Sequence, residues 1–440
     1  MKFYNRASEL AELERIRNLS FNDHSRMTVV TGRRRSGKTM LIMKSTEDTP
    51  TVYLFVSRKK EATLCTEYAQ IIGKTLSISV PDGYISFAKL FERLMEIGET
   101  HKYNLVIDEF QEFFNVNESI FSDIQNYWDQ YRHHTNVNLI ISGSVYSLMQ
   151  KIFQNSKEPL FGRADNIIKL SPFDLTTVKS ILYDFNPQYT ADDLLALYTF
   201  TGGIPKYVEL LCDGGKLNVK GMLSFMIRDN SPFIDEGKHL LIEEFGKNYS
   251  TYFSILSAIS GGKNTQPEIE QSIGVESIGG HLKRLIEDYN IITRVRPILA
   301  KPGTTAVRYE IQDNFLQFWF NYFDRYRSLI EIKNFDALHE IVKNNYPAYS
   351  GSILERYFKQ QFAESKQYVD IGSYWETKGN QNQIDIVALC LEKQKAVAVE
   401  VKRQRKNFKP EDFARKVEHL KAKVLPDYDI KQVCLSLEDM

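Results

Sequence analysis

The sequence predicts an α/β chain: a parallel sheet carrying a phosphate-binding loop, an all-helical lid, a three-helix and hairpin unit, and a second α/β domain at the C-terminus. Three observations predict it. A β-branched apolar run over residues 28–31 leads into Gly32 and, after four intervening residues, Gly37-Lys38-Thr39, so every position of the phosphate-cradling pattern is filled. Short continuous apolar runs then alternate with helical periods up to residue 170, as strands covered on both faces do. Past residue 174 the apolar spacing is helical, and strand-like runs return only beyond residue 290.

The chemistry of the loop follows from where its residues fall. The strand delivers the chain to a glycine-permitted turn whose backbone N–H groups converge on an anion. A helix beginning at Lys38 points its positive N-terminal end at the same charge. Gly32, Arg33, Arg34, Arg35, Ser36, Gly37, Lys38, Thr39 and Met40 are therefore the expected nucleotide-binding stretch. Lys38 supplies a mobile charge for the β and γ oxygens of a bound nucleotide, and the Thr39 hydroxyl is placed to hold Mg²⁺. Arg33, Arg34 and Arg35 are either solvated at the loop tip or face a neighbouring subunit.

With 440 residues the chain exceeds one core, and two to four domains are expected. At 42% hydrophobic and 25% charged residues the composition argues against a large disordered fraction. Lys plus Arg equals Asp plus Glu at 56 each, which excludes a globally basic nucleic-acid binder and leaves only a local patch. Cys65, Cys212, Cys390 and Cys434 match no metal spacing and read as reduced core residues of an intracellular protein. The first residues carry no signal-peptide apolar core, and no apolar run approaches the ~18 residues of a membrane span. The expectation is a cytoplasmic protein with no membrane partner.

In chain order, residues 3–16 show helical spacing through Leu10, Leu13 and Ile16, and 51–56 read as a buried strand. Residues 87–95 form an amphipathic helix. Residues 103–110 make an apolar strand ending in Asp108 and Glu109. Strand C-termini line the ligand crevice of a parallel sheet, so Asp108 is expected beside the Mg²⁺ held by Thr39, with Glu109 as the base for the attacking water. Such acids elsewhere merely cap the next helix; following a complete phosphate loop, they gain the catalytic reading. A helix over 121–131 precedes a strand over 138–145, where Ser142 and Ser144 either sense the γ-phosphate or make a tight turn. Arg163, before a strand at 166–170, is either a charge reaching a phosphate in its own or an adjacent subunit, or a surface residue. The helical lid spans 174–247. Within it, Thr201-Gly-Gly-Ile-Pro205 sets Pro205 at a fixed distance from the nucleotide base, or simply ends one helix and starts another.

Residues 248–312 follow the order of a winged helix-turn-helix: helices over 253–260, 266–272 and 278–287, then strands over 291–295 and 306–311 about a Pro302-Gly303 turn. Lys283, Arg284, Arg294, Arg296, Lys301 and Arg308 suit a duplex, and such modules also serve as packing units between proteins. Residues 313–345 are dense in aromatics and read as linker helices, a hinge between the ATPase half and the tail. Residues 346–440 restart an α/β pattern. A helix over 351–363 carries Glu355; Asp385 lies on a strand over 383–391, and Glu400 and Lys402 share one face of the strand over 396–401. If the strands pair, Asp385, Glu400 and Glu355 are the expected ligands of a divalent cation, with Lys402 positioning or deprotonating a water. Alternating charges on an exposed strand are the plainer reading.

Together these motifs resemble the archaeal-type ATPases of the STAND/AAA+ assemblage, over essentially the whole chain. The resemblance rests on the phosphate loop, Leu105-Val-Ile-Asp-Glu-Phe110, Ser142-Gly-Ser144, Phe161-Gly-Arg163, Thr201-Gly-Gly-Ile-Pro205, the run from Tyr309 to Phe320, and Asp385 followed by Glu400-Val-Lys402. It implies a RecA/AAA+-like core and a C-terminal domain similar to PD-(D/E)xK nucleases, the restriction-endonuclease-like fold. It further implies Lys38 and Thr39 at phosphate and magnesium, Asp108 and Glu109 as the hydrolytic acids, Ser142 or Ser144 as sensor and Arg163 as arginine finger. Pro205 is implied near the adenine, as are Tyr4 and Arg6 of the opening Phe3-Tyr-Asn-Arg6. Where relatives commonly carry Glu before the strand's Ile-Asp, this chain has Gln383.

Two functions compete at this level. One is an ATP-driven enzyme acting on DNA, as a monomer or a homo-oligomer. The other is a nucleotide-dependent switch or scaffold whose nuclease-like fold binds partners without cutting. A GTPase is a lesser alternative, because no Asn-Lys-x-Asp guanine reader occurs.

Overall fold

The computed structural model describes every residue except 82, 216, 247–248 and 377–380. It divides into Tyr4–Ser171 and a second unit of Met1–Phe3 with Pro172–Met440. The first unit holds five parallel strands: β1 (Arg26–Thr31), β2 (Thr51–Phe55), β3 (Tyr103–Asp108), β4 (Val137–Ser142) and β5 (Asn166–Lys169), in the order β2-β3-β4-β1-β5. Every residue of β3 and of β4 is buried, which is why their sequences run apolar without alternation. Register fixes the site. Val30 pairs with Ser142, Ile107 with Ile141 and Phe55 with Asp108, so the C-terminal ends of four strands finish at one level.

The expected strands and helices of this unit are present with ends shifted by a few residues. Helices Glu61–Leu76 and Tyr146–Gln154 add to them, and the first helix is Ala7–Asn22. It starts later than expected because Asn5 and Arg6 take left-handed backbone (φ 55° and 73°), which a continuing helix does not allow.

In the second unit the lid helices begin with Leu175–Phe185 and Ala191–Thr201, the latter started by a reciprocal Thr190–Asp193 capping box. The expected boundary at 247/248 lies outside the described residues. Helices Ser250–Ser260, Gln266–Ile273 and Gly279–Glu287 precede the antiparallel pair β6 (Ile292–Val295) and β7 (Arg308–Ile311). The aromatic run forms helix Asn314–Trp319 and a π-turn Phe320–Asp324. The run is buried, as its aromatic density implies, and packs among the lid helices: Trp319 Nε1 donates to the Ile234 carbonyl at 2.7 Å and Phe318 meets Phe200 edge to face. A single helix, Phe335–Ser365, then runs straight through the expected 345/346 boundary with Pro347 inside it. The chain ends in a mixed sheet of β8 (Tyr368–Tyr374), β9 (Ile384–Cys390), β10 (Lys395–Val401) and β11 (Asp429–Leu435), ordered β11-β10-β9-β8. Only β10 and β11 are parallel, and helix Pro410–Val424 makes their crossover.

Candidate functional site

The turn after β1 needs a residue without a side chain at its first position. At Gly32 φ is +154° and a Cβ would lie 2.8 Å from the Leu170 carbonyl oxygen. Gly37, also left-handed at φ 90°, turns the chain into helix Lys38–Thr46. Lys38 is buried and its Nζ donates to the carbonyls of Gly32 (2.8 Å) and Arg33 (3.0 Å), which holds the loop closed around its own charge. Among the described residues the buried Ser36 Oγ has no hydrogen-bond partner. A donor left over in a cationic loop suits an anionic oxygen. Arg33, Arg34 and Arg35 are half-buried rather than solvated at a loop tip, and Met40 is exposed.

At the end of β3, Asp108 is 4% exposed and both its oxygens are saturated by neutral donors. Oδ1 accepts from the Glu109 backbone N–H (2.9 Å) and from Ser142 Oγ; Oδ2 accepts from Thr39 Oγ1 (3.2 Å) and from the Tyr53 hydroxyl. Burial first, and the hydrogen bond to Asp108 second, push the Tyr53 phenol well above its usual range, so it stays a donor. The hard oxygens of Thr39 and Asp108 fit a magnesium ion. Glu109 takes left-handed backbone (φ 54°), and its Oε2 accepts from Ser144 Oγ (2.7 Å) and Gln111 Nε2 (2.5 Å). The two serines thus divide, Ser142 to Asp108 and Ser144 to Glu109. Tyr53 and Gln111 escaped sequence reasoning. Tyr53 belongs to a strand distant in sequence, whereas Gln111, two residues past Glu109, was within reach of a helical-turn argument.

Arg163 is held by its own unit, through Asp129 Oδ2 at 3.1 Å and the Phe161 carbonyl at 3.0 Å. Arg6 is buried and donates to Glu9 (3.1 Å) and the Ser171 carbonyl (2.6 Å), while Tyr4 is half-buried. Pro205 opens helix Pro205–Asp213 in the other unit.

The C-terminal constellation is built differently. Antiparallel pairing of β9 with β10 sets Val399 against Ile386 and brings Asp385 beside Glu400, with the Val401 N–H donating to Asp385 Oδ2 at 2.8 Å. Glu400 is met by two ammonium groups: Lys402 Nζ at 2.8 Å and Lys416 Nζ at 3.1 and 3.2 Å. Burial, then the charge of Asp385, raises the Glu355 carboxyl to about 8. Burial, then Glu400, raises Asp385. The acids expected to form one cation site are therefore electrostatic neighbours. Even so, among the described residues no three His, Cys, Asp or Glu side chains come together as a metal-holding group. The ammonium of Lys416, from helix Pro410–Val424, already answers the charge of Glu400. Gln383, where a Glu was expected, accepts from Arg308 of β7 at 3.2 Å. Arg308 also lies 4.6 Å from the Trp375 ring, so it serves packing rather than an exposed basic face.

Among the described residues no helix is long and apolar enough to cross a membrane. Residues 3–211 match the model of an ATPase domain found predominantly in Archaea, and residues 319–415 match a family of archaeal and bacterial proteins of unknown function. An uncharacterized protein of Methanocaldococcus jannaschii is 30% identical over 410 residues, covering 91% of this chain and 87% of that one. A Walker-type ATPase of Pyrococcus abyssi shares the fold, with a TM-score of 0.55 at 18% identity over 72% of this chain and 96% of that one.

Proposed function

This chain belongs to the archaeal-type P-loop ATPase family, and from that premise we propose that its hydrolysis of ATP drives work on DNA. As an AAA+-like protein it binds and hydrolyses ATP. The observation that supports the residue roles is the saturated carboxylate of Asp108 beside Thr39. Asp108 is held in one orientation by its four donors, and Thr39 and Asp108 would hold Mg²⁺, which supplies positive charge to the phosphate oxygens. Lys38 exchanges its two loop carbonyls for the β and γ oxygens. Glu109 takes a proton from the attacking water.

Tyr4 and Arg6 are assigned to the adenine. Arg163 is assigned to the phosphate of a neighbouring copy, because leaving the half-exposed Asp129 pair costs only about 0–1 kcal/mol. The three helices with β6 and β7 act as a winged helix, using Lys283, Arg284, Arg294, Arg296 and Lys301 on duplex phosphates. The C-terminal sheet, with Asp385, Glu400, Lys402 and Glu355, acts as a nuclease-like domain. The test is cleavage of plasmid and linear DNA with Mg²⁺ or Mn²⁺, with and without ATP. Loss of cutting in Asp385→Ala or Lys402→Ala with ATPase retained supports the reading; no cutting with any metal overturns it.

A second reading has its own observation. With Lys402 and Lys416 on Glu400, a cation would have to displace Lys416. A scaffold that binds partners without cutting needs no such displacement. It predicts normal ATP turnover, no cleavage, and an ATP-dependent change of oligomeric state.

A further inference from the structure

Glu109 sits in a place that its own backbone does not choose. A left-handed Glu costs on the order of 1 kcal/mol or more and persists only where neighbours fix it. The carboxylate is gripped from one side only. Both of its donors, Ser144 Oγ and Gln111 Nε2, address Oε2. Among the described residues that leaves Oε1 without a donor and open to a water.

Gln111 is the less expected of the two donors. It lies on the short 3₁₀ turn Phe110–Glu112 and is 1% exposed. Among the described residues its Oε1 has no hydrogen-bond partner. Flipping the amide would set that oxygen against the Glu109 carboxylate, acceptor against acceptor, so Glu109 itself fixes the orientation. Leaving a buried carbonyl oxygen unsatisfied is costly, and packing alone would favour an apolar residue here. The neighbouring strand end is shaped for the same amide. A Cβ at Gly143 would stand 2.4 Å from Gln111 Oε1 and 2.4 Å from Met149 Sδ, so only glycine lets Gln111 lie where its amide reaches Glu109.

We propose that Gln111 is a positioning residue for the ATPase reaction: with Ser144 it clamps Oε2 of Glu109 and turns Oε1 toward the attacking water, in a slot that Gly143 keeps open. This rests on Glu109 being the general base. Removing the amide leaves the nucleotide held by the phosphate loop and loosens only the base.

The test is steady-state ATPase kinetics together with the affinity of a fluorescent ATP analogue. Gln111→Ala and Gln111→Glu are expected to lower kcat about 10-fold to 100-fold, the scale of a lost hydrogen bond to a charged group, with the analogue's Kd and the KM for ATP unchanged within a factor of about 3. Gly143→Ala should give the same pattern more weakly. In a Glu109→Ala background, Gln111→Ala should change the residual rate less than 2-fold, since it acts only through the base. An equal loss in that background, or a rise in Kd matching the fall in kcat, would overturn the proposal. If the variants unfold, Ser144→Ala carries the test through the second donor, and unchanged turnover there also overturns it. The underlying reading fails separately: Glu109→Ala retaining full turnover removes the base, whatever Gln111 does.

Discussion

Among the described residues two acid pairs stand at strand ends, Asp108 with the half-buried Glu109 and Asp385 with Glu400, and they are held in opposite ways. Asp108 and Glu109 receive only hydroxyl, amide and backbone N–H donors. Asp385 receives a backbone N–H, and its partner Glu400 receives two lysine ammonium groups. Neutral dipoles fix a carboxylate's direction without cancelling its charge, so the charge remains for a cation or a proton. An ammonium fixes and cancels at once. Under the proposed mechanism the first pair acts on something that arrives. The second is already in balance, and anything that arrives must break an ion pair.

The largest expected effect tests the first half of that contrast. Glu109→Gln keeps the shape and removes the charge, and should lower kcat by about 100-fold or more, in the range of a lost general base, while nucleotide affinity holds. A variant that turns over normally would mean that the dipole-held acids are structural. A smaller effect sharpens the second half. Lys416→Ala leaves Glu400 with Lys402 alone and should cost about 1–3 kcal/mol of stability, the scale of a lost hydrogen bond to a charged group. It should also let Mn²⁺ bind where the parent chain binds it at least about 10-fold more weakly, a step of about 1.4 kcal/mol. Calorimetry showing identical Mn²⁺ binding in both proteins would erase the contrast.

The two centres differ as much in legibility as in charge. The phosphate loop could be read because its function needs contiguous residues: Gly32, Gly37, Lys38 and Thr39 are fixed relative to one another by a single turn. Strands β3 and β4 could be read because burial on both faces writes an unbroken apolar run. Tyr53 and Lys416 could not, since parallel crossovers, from β2 to β3 and from β10 to β11, set them beside their acids from 55 and 16 residues away. The segment boundary at 345/346 had a similar cause. Helix Phe335–Ser365 buries Leu338, Val342, Tyr346, Ile353, Leu354 and Tyr357 against different neighbours along its length, so no single apolar stripe announces one helix, and Pro347 interrupts the pattern.

The smallest predicted effect concerns Glu355, whose carboxyl is raised by burial and by the neighbouring charge of Asp385. Its carboxyl stays protonated in the folded chain up to about 8, against an ordinary value of 4.5. Between those values the folded chain holds a proton that the unfolded chain has released, so stability falls as pH rises from about 4.5 to about 8, and the loss is complete above that. The side chain is half-buried, which lets water screen part of the cost, and about 1–2 kcal/mol over the window is expected. Glu355→Gln imitates the protonated form and should flatten that slope, gaining on the parent chain as pH rises and matching it near pH 4.5. Urea midpoints at pH 5 and pH 8 decide it. Parallel profiles would mean that Glu355 is already charged in the fold, and the C-terminal centre would then carry one more uncancelled negative charge than Lys402 and Lys416 can answer, which would bring it back toward the character of Asp108 and Glu109.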